Sequence, residues 1–449
     1  MTSDEPADRA DPPPAELADP GLADLAGVAD LAGVADLAGV ADLADPGLYR
    51  TGEPEALWAR LRAASPVHRD RRPDATWFWA VLGHREATEV LKNPRLFVSG
   101  RGMRLDDNPE ATRAASGRML IVSDPPRHAQ LRRVMNSAFT PRMVARLRRN
   151  MRVTVSAVID EALERGVCDF TDVAARLPVS VICDMLGVPP ADRDFMLERT
   201  MTAFGGPAGG GADRAAVARA HTDILLYYAE LVERRRREPG DDVVSALVRG
   251  TVDGRPLTDE EIYLNCDGLV SGANETTRHA TVGGLRALML HPDEWSVLRR
   301  ADHPVETTAQ EILRYTSPAM HVLRTVERDT ELAGHRLRAG DRVAVWLPAA
   351  NRDPAVFPDP ERFDAARTPN RHLALAPGEH YCLGSSLALA ELTVTFEELR
   401  DRVELPEPAG PARRLGSHLI WGFASLPVRL RPRAGRRPPV AAGPAGARG

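Results

Sequence analysis

The hydrophobic pattern divides the chain into a polar leader and a mainly helical body. Apolar residues recur at helical spacing through most of 143–249, with a Gly/Pro-rich break at 205–211. A further run, 258–289, is long and apolar on most sides, so we expect it to be the central helix. The shorter helices predicted by the same spacing are 55–64, 84–91 and 306–315.

Strand-like runs are few and short. One is predicted at 77–82, and two more lie within 318–347, reading Val322-Leu-Arg-Thr-Val and Val343-Ala-Val-Trp-Leu. The segment 97–117 is rich in Gly, Asp, Asn and Pro, which predicts a long irregular loop. Because strands do not alternate with helices, a doubly wound sheet is excluded. The predicted fold class is mainly α with a minor β component.

The leader, residues 1–46, is acidic and repetitive. It holds nine Asp and two Glu against one Arg, although the whole chain has a net charge of only -5. Ala-Asp-Leu-Ala-Gly-Val occurs three times over 23–40 and decays to Ala-Asp-Leu-Ala-Asp-Pro at 41–46. A period of six matches neither the helix repeat nor a heptad. We interpret 1–46 as a disordered leader, with a functional arm or a fraying helix as alternatives.

Composition limits the remaining possibilities. We expect one folded body at 47–433 and a disordered Pro/Gly/Arg tail at 434–449. The four cysteines form no CxxC pair, and the chain is too long and too poor in Cys for a disulfide scaffold, which predicts a cytoplasmic protein. No apolar run is long enough for a membrane span, and the small net charge argues against nucleic-acid binding.

The stretch 372–391 combines features that can carry chemistry. A turn with Pro377, Gly378 and His380 precedes Cys382, and Gly384 opens a helical run. A thiolate just ahead of a helix is favoured by the helix dipole, and Gly384 would let a flat ligand approach the backbone. These are the requirements of a cysteine that ligates haem iron. For Cys382 taken alone, a small buried hydrophobe is the alternative.

Three further motifs accompany this loop. Glu311 and Arg314 are spaced to share one helix face, and Arg362 lies in Pro360-Glu-Arg-Phe further on. A buried Glu311 bound by both arginines would lock the intervening meander onto the helix. In the central helix, Gly272-Ala-Asn-Glu275-Thr276-Thr places poor helix formers in its middle. A local bulge there would open a groove for a small ligand.

In this order and spacing, the motifs resemble the cytochrome P-450 family of haem-thiolate monooxygenases over about 48–432. The resemblance implies the P-450 fold, with a long central helix over a haem b held by the cysteine loop. It implies that Cys382 ligates iron, that Glu311, Arg314 and Arg362 form a structural triad, and that Glu275 and Thr276 are the acid–alcohol pair of O₂ activation. The cofactor-binding residues it implies are His128, Arg132, Ala273, Arg324, Gly378, His380, Cys382 and Gly384.

Two departures from the family pattern lie next to the cysteine. The family usually has Phe and Gly where this chain has Leu375 and Ala376. The loss of an aromatic edge near the sulfur predicts a shifted iron potential. Ala273 replaces a common Gly in the central helix, where an extra methyl group would crowd the groove slightly.

The family's substrate walls come from variable segments, which here are mostly apolar and favour a largely hydrophobic substrate. His321 is the polar exception, and a hydrogen-bonded structural histidine is the more favoured interpretation. The predicted wall residues are Met103, Met119, Ile121, Phe204, Leu269, Val270, Met320, His321, Val322, Ile420 and Trp421.

Electrons must come from other proteins, because the chain has no flavin or iron–sulfur motif. The resemblance implies NAD(P)H, a reductase and an acidic ferredoxin that docks on a basic face, with an ordinary solvated face as the alternative. The basic residues are Arg132, Arg133, Arg142, Arg146, Arg148, Arg149 and Arg152.

We therefore expect a monomeric bacterial monooxygenase that hydroxylates or epoxidises a small molecule in specialised metabolism. The substrate could be free or tethered to a carrier. Oxidative coupling or another non-hydroxylating oxidation on the same scaffold is one alternative. A non-catalytic haem-binding protein is the other.

Overall fold

The computed structural model describes residues 42–51, 54–204 and 214–434, and they form a mainly helical body with small sheets. Fifteen α-helices, labelled α1–α15 in chain order, and two short 3₁₀ turns are present in these ranges. The helices are Pro46–Thr51, Pro54–Ala64, His84–Lys92, Pro109–Ala115, Arg127–Asn136, Pro141–Arg165, Phe170–Leu186, Arg193–Phe204, Arg214–Arg237, Val243–Arg249, Asp259–Leu290, Pro292–Leu298, Val305–Thr316, Leu347–Ala350 and Ser385–Arg402.

The central helix α11, Asp259–Leu290, is the longest element and confirms the prediction for 258–289. It starts in a capping box, in which Thr258 and Glu261 bond to each other's backbone N–H groups. It packs against α7, α9, α13 and α15. The helix runs as one continuous α-helix through 272–277, so the predicted bulge is not present as a break.

The largest sheet has five strands, in the order β1-β2-β10-β7-β3. Only the β2–β10 pair is parallel. Along β10, Ala344 and Trp346 face one apolar cluster while Val343 and Val345 face another, which is the two-residue period of a strand buried on both sides. The strands are Val67–Arg71 (β1), Trp77–Val81 (β2), Phe97–Val98 (β3), His321–Val326 (β7) and Arg342–Trp346 (β10).

The remaining strands form small antiparallel sheets. Three strands pair in the order β11-β14-β4, and the pairs β5-β6, β8-β9 and β12-β13 stand alone. Their bounds are Val167–Asp169 (β4), Thr251–Val252 (β5), Arg255–Pro256 (β6), Thr330–Leu332 (β8), His335–Leu337 (β9), Glu407–Pro408 (β11), Arg413–Arg414 (β12), Phe423–Ser425 (β13) and Pro427–Arg429 (β14).

Two boundary predictions are wrong. Segment 97–117 is not wholly irregular, because β3 lies at its start and α4, Pro109–Ala115, follows an Asn108 cap. The folded body also begins before residue 47, since Leu43 and Ala44 are fully buried and α1 starts at Pro46. Residues 1–41, the break at 205–213 and the tail beyond 434 lie outside the described residues. Within the described ranges, no helix is both long and apolar enough to cross a membrane.

Candidate functional site

The cysteine loop is anchored from both sides. The Cys382 N–H donates to the Leu375 carbonyl at 3.0 Å, which closes the loop on itself. From α5, the Arg132 guanidinium donates to the carbonyls of Tyr381 at 2.6 Å and Glu379 at 3.5 Å. Helix α15 begins at Ser385, immediately after Gly384. The thiol is thus held at a fixed place between α5 and the start of α15.

Two loop positions depend on unusual backbone. Gly378 has φ +109, and a Cβ there would lie 2.3 Å from the Leu91 carbonyl oxygen, so this turn requires glycine. Ala376 has φ 50, a left-handed conformation that favours glycine. The family's usual Gly at this position therefore has a conformational reason, and Ala376 carries local strain here.

The Cys382 thiol needs a cation to ionise. Burial raises its pKa, while the Gly384 N–H and the Arg132 guanidinium act in the opposite direction without overcoming burial. The helix start alone therefore does not provide the thiolate. A metal ion bound to sulfur would, because a coordinating thiol is deprotonated.

A buried cationic site lies next to this loop. Arg324, on β7, is only 4% exposed, and burial lowers its pKa to about 10. Its one bond within the described ranges is to the neighbouring Leu323 carbonyl at 2.8 Å, and no carboxylate pairs with it there. His128, on α5, is buried as well, and its Nε2 has no partner among the described residues. An unneutralised buried arginine beside an orphaned ring nitrogen fits the carboxylates of a haem.

Two other predicted haem contacts are already engaged with protein. His380 bonds to the Ser99 hydroxyl at 3.1 Å and to the Ser123 backbone. Burial lowers its pKa to about 2, so the ring is neutral. Arg132 holds the loop carbonyls described above. Gly384 has φ -88, and a Cβ there would meet no atom within 4 Å, so the space beside it is open.

The predicted acid–alcohol pair lies in the middle of the central helix. Around it, Ser271, Gly272, Ala273 and Thr276 retain accessible surface, whereas most of 277–285 is buried. The Thr276 hydroxyl donates to the Gly272 carbonyl at 2.9 Å. Because its hydrogen is engaged, the Thr276 oxygen is left as an acceptor. Ala273 packs in the same apolar cluster as Ala374, Leu375 and Leu383 of the cysteine loop.

Glu275 sits in a buried ion pair on its own helix. Arg278 Nη1 lies 3.2 Å from Oε1, and His279 Nε2 lies 3.1 Å from Oε2. Burial alone would raise the Glu275 pKa, but His279 and Arg278 outweigh it and the pKa falls below its usual value. Burial lowers the pKa of His279, so a neutral ring donates Nε2–H to the carboxylate. Glu275 is therefore ionised at neutral pH.

The structural ion cluster differs from the predicted triad in one member. Glu311 is fully buried and accepts two bonds from Arg314, at 2.8 and 2.9 Å. Its second arginine is Arg367, at 3.1 Å, so the assignment of Arg362 is wrong. The Arg362 side chain is 63% exposed and pairs with Glu294, while its carbonyl accepts from Arg314 and Arg367. Both arginines occur in one short meander, and spacing alone could not separate them.

The predicted substrate wall divides into accessible residues and core residues. Met119 packs its methyl group on Gly268 of the central helix, and Ile420 bridges Ala319. Met103, Ile121, Leu269 and Val322 also keep accessible surface. Val270, Met320 and Trp421 are buried in apolar clusters. Their assignment to the accessible wall is therefore wrong, and they pack behind it. The Phe204 side chain lies outside the described residues.

His321 is a structural residue, as the favoured interpretation held. Its Nε2 accepts the Leu105 N–H at 3.1 Å, and its Nδ1 donates to the His418 carbonyl at 2.9 Å. Complete burial lowers its pKa to about 3. Both ring nitrogens are satisfied, so the ring has no bond left for a substrate.

A polar group on the same wall was missed by the sequence analysis. Arg104 Nη2 donates to the Ser271 hydroxyl at 3.3 Å, and Asp267 lies one helical turn before Ser271. Within the described ranges, Asp267 Oδ1 is buried with no hydrogen-bond partner. Burial raises the Asp267 pKa, against the opposing charges of His221 and Arg104. The signal that could have revealed it is the spacing of Asp267 and Ser271, which places a carboxylate one turn from a serine next to the predicted groove segment.

The basic residues extend from the cysteine loop along α6. Arg133, Arg142, Arg148, Arg149 and Arg152 are exposed, and Tyr381, next to Cys382, is 42% exposed. Arg152 pairs with Glu397, and Arg146 pairs with Asp241. Since Arg132 contacts the loop directly, this face adjoins Cys382.

Comparison with known proteins identifies the family. A cytochrome P450 family model matches residues 304–407, which include Glu311, Arg314 and Cys382. Cytochrome P450 NovI of Streptomyces niveus is 38% identical over 390 residues, 86% of this chain and 95% of that protein. Linalool 8-monooxygenase of Pseudomonas putida is 33% identical over 400 residues, 87% of this chain and 98% of that protein.

A solved structure agrees over almost the same length. The crystal structure of P450 OxyD, which is involved in the biosynthesis of vancomycin-type antibiotics, superposes with a TM-score of 0.81 at 39% identity. It covers 87% of this chain and 100% of that one. The chain belongs to the cytochrome P450 family and is a cytochrome P450 monooxygenase.

Proposed function

We propose that this enzyme inserts one oxygen atom of O₂ into a largely apolar small molecule, by hydroxylation or epoxidation. The observation that carries the proposal is the Cys382 loop, fixed by Arg132 and lying in one apolar cluster with the groove of the central helix. A haem held through sulfur supplies the activation of O₂ with two electrons when it is bound.

In this proposal, the residues around the loop hold the cofactor from two sides. Cys382 is the sulfur ligand, and Arg324 with His128 Nε2 binds carboxylate groups in a site that excludes water. The space beside Gly384 would be open to the cofactor, and Ala273 lies in the same apolar cluster as the cysteine loop. Arg132 acts as a positioning residue, because it holds the two loop carbonyls on which the place of the thiol depends.

In the same proposal, Thr276 accepts a hydrogen bond in the groove and Glu275 transfers protons. The Thr276 oxygen can only accept a hydrogen bond while its hydrogen is held by Gly272, so it can orient a donating group in the groove. Glu275 is ionised and held by Arg278 and His279, so it would accept a proton from water and release it toward the groove. Bonds to two neighbours keep its carboxylate in place during such exchange.

We further propose that the substrate carries one cationic nitrogen on its apolar body. Beside its apolar residues, this side of the central helix carries Ser271, to which Arg104 bonds, and Asp267 one helical turn away. The Asp267 carboxylate is the group that gains most from a partner, since its buried oxygen has none within the described ranges. An ammonium group there would neutralise a charge that burial disfavours.

A matched pair of ligands tests this recognition. An alkyl chain ending in trimethylammonium, which cannot ligate iron, is compared with its uncharged 3,3-dimethylbutyl analogue by spectral-shift titration of the haem-loaded enzyme. We expect the cation to bind more tightly to the wild type, and Asp267→Asn to remove the difference. Equal binding of both ligands by the wild type would reject the role of Asp267.

We propose that the enzyme acts in specialised-metabolite biosynthesis. P450 OxyD, which is involved in antibiotic biosynthesis, has the same fold and is 39% identical in sequence to this chain. The alternative activities are oxidative coupling and non-catalytic haem binding. Turnover with a surrogate ferredoxin, its reductase and NADPH separates them by product mass. Gain of one oxygen supports the proposal, and loss of two hydrogens favours coupling. No product, with NADPH consumption no faster than that of ferredoxin and reductase alone, favours a binding protein.

For the electron donor we propose an acidic ferredoxin that docks on the basic face around Tyr381. Exposed arginines along α6 would steer an acidic partner, and the exposed Tyr381 next to the iron ligand would supply an aromatic contact. Arg148→Glu with Arg149→Glu should raise the KM for ferredoxin and flatten its salt dependence. Arg413→Glu, an exposed cation on β12, is the control and should change neither.

A further inference from the structure

The last, degenerate copy of the leader repeat is built into the protein core. Leu43 is 0% exposed and Ala44 is 1% exposed. The Leu43 N–H donates to Asp70 Oδ2 at 3.1 Å, and the Tyr49 hydroxyl donates to the Leu43 carbonyl at 2.6 Å. This segment therefore occupies a slot in which side chains of β1 and α1 bind its backbone.

Each residue of the tripeptide Asp42-Leu43-Ala44 is used. The Asp42 carboxylate accepts the Ala44 N–H at 2.9 Å and closes a turn. The Leu43 side chain packs in the cluster of Trp58, Phe78 and Trp346. Ala44 is buried in the same apolar cluster, where a larger side chain would have to displace its neighbours. The slot thus recognises the sequence Asp-Leu-Ala and not merely an apolar residue.

The same tripeptide occurs three more times just upstream, at 24–26, 30–32 and 36–38. These copies lie outside the described residues, and each is preceded by alanine as the docked copy is. Leu17-Ala18 is a poorer match, because Glu16 stands where the turn-closing Asp is needed. The chain therefore carries three intact replacements for one docked segment.

We propose that the slot is a docking site for Asp-Leu-Ala, and that the upstream copies of the same chain can occupy it in place of 42–44. A shift by one repeat adds six residues to the loop before α1. The connection to α1 would grow from one residue, Asp45, to seven, and the closure entropy of this longer loop favours the nearest copy without excluding the next. Tyr49 and Asp70 bond to the backbone of Leu43, so they would bond equally to an exchanged copy.

The exchange matters because the slot backs the substrate wall. Met320 and Trp421 belong to the same apolar cluster as Leu43. Tyr49 lies 6.0 Å and Trp58 lies 5.6 Å from Trp421, measured between ring centroids. An empty slot would leave a cavity beside these rings, and a replacement copy would keep the wall packed.

Full-length, haem-loaded variants test the exchange by thermal unfolding. They are Leu43→Ser, the triple variant Leu25→Ser/Leu31→Ser/Leu37→Ser, and the quadruple variant with all four changes. We expect the triple variant to match the wild type. We expect Leu43→Ser to lower the Tm by less than half as much as the quadruple variant does, because upstream copies replace the altered segment. Leu61→Ser is the control, because Leu61 lies in the same cluster but has no upstream copy. It should lower the Tm by the same amount with or without the triple change.

Two results would overturn the proposal. Equal losses for Leu43→Ser and the quadruple variant would mean that no upstream copy docks. A Tm of Leu43→Ser that rises with protein concentration would mean that the slot is filled by a second molecule. If the quadruple variant does not fold, the same set made with alanine decides between these outcomes.

Discussion

Glu311 and Glu275 are both buried glutamates with an arginine three residues later, yet their surroundings differ. Glu311 is reached from α13 and from the meander, and it accepts bonds from Arg314, Arg367, Asn370 and the Asp364 N–H. Among the described residues, Glu275 is held by Arg278 and His279, both on its own helix. The Glu311 carboxylate joins α13 to the meander. The Glu275 carboxylate joins only residues of its own helix among those described, so the fold depends little on it.

The difference indicates separate roles. A carboxylate bound on both oxygens by Arg314 and by residues of the meander has no free site for proton exchange, and its loss leaves buried arginines unpaired. A carboxylate with two local partners, next to an accessible threonine, can exchange protons without loosening the fold. The predictions below test this division, starting with the change expected to have the largest effect.

Arg367→Ala should prevent stable folding or lower the free energy of unfolding by about 3–5 kcal/mol, because it leaves Glu311 with one arginine in a buried site. Arg362→Ala is the matched control in the same meander, since its side chain is exposed. Urea unfolding and the fraction of haem retained measure both. Equal losses for the two variants would reinstate Arg362 in the cluster.

Glu275→Gln should keep the folded, haem-loaded protein but lower product formation by about a hundredfold, the usual size of a lost proton-transfer group. Glu311→Gln, changed in the same way, should instead fail to accumulate as holoprotein. Turnover per haem and holoprotein yield are the two readouts. Normal turnover by Glu275→Gln would remove Glu275 from proton handling.

Thr276→Ala should bind haem normally but divert electrons from product to hydrogen peroxide, because the acceptor oxygen in the groove is lost. Thr277→Ala, at the buried neighbouring position, should keep the wild-type ratio of product to peroxide. The ratio is measured per NADPH consumed. Unchanged coupling in Thr276→Ala would contradict its role.

A third buried glutamate gives an effect on stability that depends on pH. Glu391 on α15 is 4% exposed, its Oε2 has no partner within the described ranges, and burial raises its pKa to about 8. The folded state then keeps a proton that the unfolded state releases near pH 4.5, so stability should fall as pH rises from about 4.5 to 8. Glu391→Gln should reduce this slope in a series of thermal melts, and a slope equal to that of the wild type would place the titration elsewhere.

Much of the fold could be predicted from hydrophobic spacing, because long helices impose a strong period. The central helix and the strands at 77–82 and 318–347 followed directly. Short elements such as α4 in 97–117 could not, since their few residues are decided by caps and neighbours. Leu43 was assigned to the leader because the tripeptide Asp42-Leu43-Ala44 is identical to three upstream tripeptides, and its bonds to Asp70 and Tyr49 are visible only in the structure.

The candidate site divides in the same way. Motif spacing located Cys382, Glu311 and Arg314, because these lie in short, local patterns. Arg367, Asp267 and the buried role of Met320 depend on how distant segments meet, which no local pattern encodes. Ala376 is an intermediate case, since its left-handed backbone explains the expected glycine but is visible only in the structure.

The most direct test of the whole account is the ligand of the iron in purified holoprotein. The wild-type ferrous carbon monoxide complex should show the long-wavelength Soret band that thiolate ligation produces, and Cys382→Ser should lose it while Cys266→Ser retains it. Retention of that band by Cys382→Ser, or a wild-type spectrum typical of nitrogen ligation, would contradict the assignment of Cys382 and the chemistry built on it.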